Sequence, residues 1–473
     1  MKQSLIGRTK EKEELLDLFY SERPEFVVLY GRRRVGKTFL VNSLFENDLA
    51  FRVTAVLNED THEQLRTFAL ALTKYGREEE QVPADWITAF ERLRVLLEKS
   101  NRKRKVVFID ELPWFDTKDS YFISALEHFW NGWASTRDDI MLIACGSATS
   151  WIVKKLFRSR GGLHNRVTRR ILLQQFTLSE CRQYAELEGL PSDEISLLEI
   201  YMTFGGIPYY LRLLNKNQGL AQNISRLCFS PDGELRDEFD NLYASLFKNA
   251  TRHLLVVEAL GKKKSGLTRE EIKEATKLPE GGGLSEVLDE LQLSGFIRKY
   301  SPFSKKKKGA LYQLVDHFTL FHLAFIAGSP DHDRNFWMKK QETQSYKTWR
   351  GYAFEQVCLA HVESIQKAIG VSGVITQVAS WKSEKSSPGT QVDLLINRND
   401  RVISLCEMKF SDSELALTKK QSEELRKRRN VFIEETGTTR AVHIVLVTPI
   451  GLSRNTYYDT VQAVITLRDL LKD

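Results

Sequence analysis

No apolar run in this 473-residue chain is long enough to span a bilayer, and the opening MKQSLIGRTK lacks the apolar stretch of a secretion signal. Both absences point away from a membrane and toward the cytoplasm. Cysteine is scarce as well. The five thiols, Cys145, Cys181, Cys228, Cys358 and Cys406, are scattered and form no C-x-x-C pair. That spacing argues against structural zinc and for a reducing compartment. There is no internal repeat and no low-complexity linker. What remains is ordinary for a globular protein, with 42% hydrophobic and 28% charged residues. A chain of 473 residues exceeds what one core sustains and favours about two to four domains. The net charge of +7 leans toward an anionic partner.

The strongest local signal is GRRRVGKT at 31–38, which fits the phosphate-binding pattern G-x-x-x-x-G-K-[ST]. The preceding FVVLY (26–30) reads as a buried strand, and the following FLVNSLFEN has helical spacing. In that setting Gly31 and Gly36 let the backbone turn its N–H groups inward around a phosphate, with Arg34 and Val35 in the cradle. The helix adds its N-terminal dipole. Lys37 then falls on the β- and γ-phosphates and the Thr38 hydroxyl on Mg²⁺, so ATP with Mg²⁺ is the expected ligand. A basic, glycine-containing turn is the bland alternative. Upstream, Leu5-Ile6-Gly7-Arg8 leads into TKEKEELLDLF, an amphipathic helix with Leu15, Leu16 and Leu18 inward.

Downstream, a strand is expected over 49–56 and helices over 62–74 and 85–99. The basic run Arg102 to Lys105 reads as a solvated edge, with nucleic-acid contact as the alternative. The apolar run VVFID then ends at Asp110-Glu111. Asp110 is suited to hold Mg²⁺ through water and Glu111 to polarise the attacking water. The run DIMLIACGS (139–147) ends at Ser147, expected beside the γ-phosphate as a sensor, flanked by the acidic and P-loop strands. A further strand is expected over 171–176. Arg166 is the candidate to reach a γ-phosphate, in a neighbouring subunit of a homo-oligomer or in its own. Plain surface charge is the alternative for Arg158, Arg160, Arg166, Arg169 and Arg170.

From Leu178 to about Phe247 the pattern is helical, interrupted at Gly205-Gly206-Ile207-Pro208 by a backbone corner. The motifs LIGR (5–8), GRRRVGKT (31–38), VVFIDELPWF (106–115), CGS (145–147), HNR (164–166) and GGIPYYL (205–211) together resemble the archaeal-type ATPases of the AAA+/STAND group. The resemblance covers roughly the first half of the chain. It implies that the LIGR segment covers the adenine and that residues 178–247 form a helical lid. It also places the corner from Gly206 to Pro208 at the lid's base, in the position of a sensor arginine.

Between Thr251 and Phe318, three short helical patterns followed by IRKYSPFSKKKKGALYQLVD describe a winged helix-turn-helix with a basic wing. Thr268-x-x-Glu271 is a capping-box start for its second helix, and Gly281-Gly282-Gly283 opens the third. That helix carries Glu286, Asp289 and Glu290 and no arginine aimed at a groove. Lys305 to Lys308 on the wing are suited to phosphates. The module therefore reads as a protein-docking or backbone-binding element rather than a sequence reader.

In the last domain WRGYAFEQVCLAHVESIQ is helical, with Glu355 on its second turn, and TQVDLLINR and VISLCEMKF are strands joined by an Asn399-Asp400 turn. This sets Asp393 on one strand, and Glu407 and Lys409 on one face of its partner. Two carboxylates converging with a lysine can bind a divalent metal and activate water. A hairpin with a surface Glu–Lys pair is the bland alternative. The pattern resembles the PD-(D/E)XK nuclease superfamily, which implies Glu355 as a further acid. Val392 stands where that family usually has proline. Gln391 and Gln421 are lesser candidates for shaping the site.

The expected fold is α/β. A P-loop NTPase parallel sheet (1–177) is followed by a helical lid (178–247), a winged helix-turn-helix (248–320), a helical connector (321–345) and a restriction-endonuclease-like domain (346–473). The expected function is ATP binding and hydrolysis whose nucleotide state controls a nuclease acting on DNA, with Mg²⁺ or Mn²⁺ at the nuclease site. The alternative is a STAND-type regulatory or adaptor protein whose nuclease fold is inert and whose winged helix recruits a protein partner.

Overall fold

The computed structural model describes residues 5–76, 81–158, 163, 165–247, 249–279, 282–300, 303, 310–330, 335–383 and 390–472. The chain divides into two compact units, Met1–Gln175 and Phe176–Asp473.

In the first unit the described strands are β1 (Glu25–Tyr30), β2 (Leu49–Thr54), β3 (Lys105–Asp110), β4 (Ile140–Gly146) and β5 (Arg169–Leu172). They form one sheet in the order β2-β3-β4-β1-β5, with every pairing parallel. The central strands are continuous apolar runs, and every residue of β3 and β4 is buried, as a sheet covered on both faces requires. Helices α1 (Thr9–Phe19), α2 (Lys37–Phe45), α3 (Thr61–Lys74), α4 (Trp86–Glu98) and α5 (Phe122–Gly132) accompany it. Asp60 and Asp85 cap α3 and α4, accepting from the amides of Glu63 at 3.0 Å and Thr88 at 2.7 Å. Phe68, Trp86, Phe90, Phe115 and Phe122 pack edge-on and stacked in the core between these helices and the sheet. On α1 only Leu15 is fully buried, while Leu16 and Leu18 are half-buried. The last strand is Arg169–Leu172 rather than 171–176, because its partner β1 ends at Tyr30 opposite Leu172.

The second unit opens with the helices Leu178–Glu188 and Glu194–Phe204. Thr177 starts the first with a capping box to Glu180. The corner that follows lies against the beginning of the unit. The Phe176 amide donates to the Gly206 carbonyl at 2.6 Å, and a Cβ on Gly206 would meet the Phe176 carbonyl oxygen at 1.9 Å. Farther on, helices Ala250–Lys262, Arg269–Thr276 and Gly282–Leu293 accompany a small antiparallel sheet of β6 (Leu267–Thr268), β7 (Ile297–Tyr300) and β8 (Leu311–Leu314), ordered β6-β8-β7. Thr268 and Glu271 form the expected capping box. Gly281 and the lysines from 305 to 308 lie outside the described residues.

Helix α6 (Gln344–Ala360) starts five residues before Trp349, so Glu355 lies past its middle rather than on its second turn. A mixed sheet follows: β9 (Thr376–Lys382), β10 (Gln391–Arg398), β11 (Val402–Met408), β12 (Ala441–Val447) and β13 (Ala463–Ile465), in the order β13-β12-β11-β10-β9. β9, β10 and β11 are antiparallel neighbours, whereas β11, β12 and β13 run parallel. Helix α7 (Lys419–Thr436) makes the crossover between β11 and β12. Its Phe432 packs with Ile403, Leu405, Leu395 and Trp381.

Candidate functional site

Parallel strands bring their carboxyl ends to one sheet edge, where open α/β sheets bind ligands. At that edge of the first unit stand the loop after β1, Asp110-Glu111 after β3 and Ser147 after β4, the strand lying between the other two. Gly31 must be glycine. Its φ is +140°, and a Cβ would meet the Leu173 carbonyl oxygen at 2.3 Å. Gly36 (φ +93°) caps α2, and Arg34 between them also takes a positive φ of 71°.

Lys37 is buried, with 6% of its surface exposed, and its Nζ donates to the carbonyls of Gly31 and Arg32, both at 2.9 Å. The Thr38 hydroxyl donates to Asp110 Oδ2 at 2.8 Å. Burial pushes the Asp110 carboxyl upward and the neighbouring Glu111 adds to this, while the Thr38 bond and Lys37 pull it back. Glu111 turns in the left-handed region (φ 49°), and its Oε2 accepts from the Ser147 hydroxyl at 2.8 Å and the Ser147 amide at 3.2 Å. Ser147 thus holds Glu111 directly. Thr38 and Asp110 are hard oxygen donors in contact, and Asp110 is a buried carboxyl that a cation would relieve of its desolvation, so these residues fit Mg²⁺. Arg8, whose partner the sequence did not disclose, donates to the Val35 carbonyl at 3.2 Å and ties the LIGR segment to the loop. Arg166 is exposed, and Pro208 opens the helix Pro208–Arg212 in the second unit.

The second unit holds an acidic cluster. β10 and β11 pair with Leu394 opposite Cys406, so the register puts Asp393 across from Glu407. Glu407 follows Ile403 and Leu405 at two-residue spacing, on the face that packs against Phe432 of α7. Lys409, just past β11, donates its amide to the Val447 carbonyl at 2.9 Å. Burial, Asp393 and Glu407 together push Glu355 up to about 8, against the pull of Arg298 and Lys264. Asp393 and Glu407 are raised too, each chiefly by burial.

Two arginines that sequence reading missed meet these acids. Arg298 of β7 is half-buried and donates to Gln313 Oε1 at 2.8 Å, Gln356 Oε1 at 3.3 Å and the Leu359 carbonyl at 3.4 Å. Arg428 of α7, one turn before Phe432, forms an ion pair with Glu407. Gln391 donates to Asp393 Oδ1 at 2.6 Å, while Gln421 instead caps α7 by accepting from the Thr418 amide at 2.9 Å. Among the described residues no three His, Cys, Asp or Glu side chains converge as metal ligands. Glu355, Asp393 and Glu407 suit a divalent ion by donor type and surplus charge. In this conformation Arg428 pairs with Oε2 of Glu407 and Gln391 with Oδ1 of Asp393.

Over residues 5–214 the chain matches the family described as an ATPase domain predominantly from Archaea. An uncharacterized protein of Methanocaldococcus jannaschii is 25% identical over 415 residues, covering 86% of this chain and 88% of that one. Among solved structures, the Walker-type ATPase of Pyrococcus abyssi is similar over 67% of this chain and 96% of its own, at 16% identity and a TM-score of 0.48. The ORC2 protein of Aeropyrum pernix, in its ADPNP–ADP complexes, is similar over 72% of this chain and 96% of its own, at 16% identity and a TM-score of 0.42. No helix among the described residues is long and apolar enough to cross a membrane.

Proposed function

With the archaeal-type P-loop ATPase domain of residues 5–214 as premise, we propose that the chain binds and hydrolyses ATP and that the nucleotide state controls a metal-dependent nuclease acting on DNA. One observation carries the first step: Lys37, the Thr38–Asp110 pair and the Ser147–Glu111 pair stand along one sheet edge. Lys37 would exchange the two loop carbonyls for phosphate oxygens, a stronger charge-assisted bond. Thr38 and Asp110 would hold Mg²⁺, which when bound supplies charge neutralisation at the phosphates. Glu111 takes the proton of the attacking water, and Ser147 sets the carboxylate's position.

The helices from 178 to 247 act as a lid on this reading, and the three helices with β6–β8 form a winged helix-turn-helix. The acidic helix Gly282–Leu293 favours protein docking or backbone contact there over base readout, since Glu290 already pairs with His253 at 2.9 Å. The mixed sheet with α6 and α7 then serves as the PD-(D/E)XK-like domain, with Asp393, Glu407, Lys409 and Glu355 at its centre. Mg²⁺ or Mn²⁺ would sit on the carboxylates, and Lys409 would stabilise developing negative charge.

A cleavage panel on single- and double-stranded DNA and RNA, with Mg²⁺ or Mn²⁺, with and without ATP, tests the whole reading. ATP-dependent cutting of DNA that is lost in Asp393→Asn supports it. ATP turnover without cutting under any condition returns the protein to a second reading, an ATP-driven adaptor with an inert nuclease fold. The Arg428–Glu407 ion pair favours that second reading, because it fills a ligand position with a cationic side chain.

A further inference from the structure

Helix α6 is bonded both to the helices that open the second unit and to the segment that leaves β11. Just past its end, the buried His361 faces the Val357 carbonyl through Nδ1 at 2.8 Å and the Leu178 amide through Nε2 at 3.0 Å. A carbonyl only accepts and an amide only donates, so the ring carries its proton on Nδ1 and accepts at Nε2. Leu178 begins a helix, and its amide is one that the helix leaves without a partner of its own. Earlier on α6, Arg350 forms an ion pair at 3.0 Å with Glu199 of the helix Glu194–Phe204. The same guanidinium pairs with Asp412 and lies over the Phe410 ring, 4.1 Å from its centroid. Phe354, one turn along α6, meets Phe410 edge-on at 5.9 Å. The Asp412 side chain is 60% exposed, so water screens its pair. The Glu199 carboxylate and the Phe410 face are more enclosed and are the firmer holds on Arg350.

We propose that Arg350 is a positioning residue that couples the helix Glu194–Phe204 to the Lys409–Asp412 segment, so that neither shifts without the other. Its planar fork donates at the edge to two carboxylates while its face rests on an aromatic ring, a combination that a lysine ammonium cannot reproduce. The helix is tied in turn to the residue at which the second unit begins: the Tyr201 hydroxyl donates to the Phe176 carbonyl at 3.0 Å. A displacement that enters at Phe176 therefore has a bonded route through Tyr201, Glu199 and Arg350 to the residues beside Lys409. That nucleotide supplies the displacement rests on reading residues 178–247 as a lid; the coupling does not. The coupling is reciprocal. Whatever orders the chain around Lys409 favours one position of the helix by the same factor.

Amide hydrogen exchange of the full chain, resolved to single residues by fragmentation in the mass spectrometer, tests the coupling. The readouts are residues 194–204 and the Lys409 amide, which the Val447 carbonyl holds at 2.9 Å; exchange in β10 reports whether the domain is folded. Glu199→Gln changes only the far end of the route, yet it should speed exchange at Lys409 by about 3–30-fold, the scale of coupling between residues in contact. Arg350→Met should do so at least as strongly, Arg350→Lys should fall between it and the parent, and Glu199→Gln should add nothing to Arg350→Met. Should Arg350→Met lose protection in β10, Glu199→Gln and Arg350→Lys carry the comparison. A Lys409 amide indifferent to Glu199→Gln, or effects that multiply in the double variant, overturns the coupling. ADP and a non-hydrolysable ATP analogue should then move residues 194–204 and Lys409 together in the parent, and residues 194–204 alone in Arg350→Met. A nucleotide response of the helix with none at Lys409 in the parent also overturns it. A response at neither place, with the variants behaving as expected, removes the lid and leaves the role of Arg350 established.

Discussion

Lys37 rests its ammonium on two carbonyls of its own loop, so the bond it would make to a phosphate replaces neutral acceptors with a charged one. Lys37→Ala should weaken ATP binding by about 10–100-fold, the equivalent of about 1.5–3 kcal/mol for a bond to a charged group. Equilibrium binding of a fluorescent ATP analogue checks this. Glu111→Gln should leave that affinity nearly unchanged and lower turnover by about 100-fold or more, since it keeps the shape and removes the base. If binding falls as far as in Lys37→Ala, Glu111 is structural. The P-loop residues were legible because their spacing is set by phosphate geometry. The Ser147–Glu111 bond was not, since it depends on β4 lying between β3 and β1. Arg298 and Arg428 were hidden for a related reason. One is a single arginine in IRKY and the other sits in the basic run LRKRRN, and only tertiary packing selects them.

Among the elements, the parallel strands of the first unit could be read because they are continuous apolar runs, and α3 and α4 because an aspartate caps each. Where boundaries differ, the partner decides: β5 stops where β1 stops, and α6 begins at the Thr343 cap. The π-helical turn His322–Ile326 carries no local signal. His322 there stacks on Phe239 at 4.1 Å between centroids, and burial lowers its pKa from 6.5 to about 4. Protonation is therefore penalised in the folded state. This contribution to stability is complete above 6.5 and is lost as the pH falls toward 4. Denaturant unfolding of the second unit should show that slope, and His322→Phe, which keeps the stack, should flatten it. A Gly206→Ala change should destabilise the same unit by more than the about 1–3 kcal/mol of an ordinary strained residue, because the clash is with backbone at Phe176. A melting temperature unchanged by that substitution would contradict the corner as drawn.

For the whole molecule, the question is whether one subunit completes another. Arg166 is exposed at the end of the first unit. If it acts in trans, mixing Arg166→Ala with Lys37→Ala should restore up to about a quarter to a half of the ATPase rate, since each protein supplies what the other lacks. No recovery in any mixture, with a monomer in sedimentation with ATP, makes it a surface charge or a residue of its own subunit. Such transitions can be watched without stripping the native thiols, because all five cysteines are buried, none with more than 2% of its surface exposed. Maleimide dyes should therefore ignore the parent protein. Cysteines introduced at Leu70 (65% exposed) in the first unit and Ile375 (77% exposed) in the second would then accept a donor–acceptor pair, turning the natural inertness of the thiols into a ruler for nucleotide-driven motion.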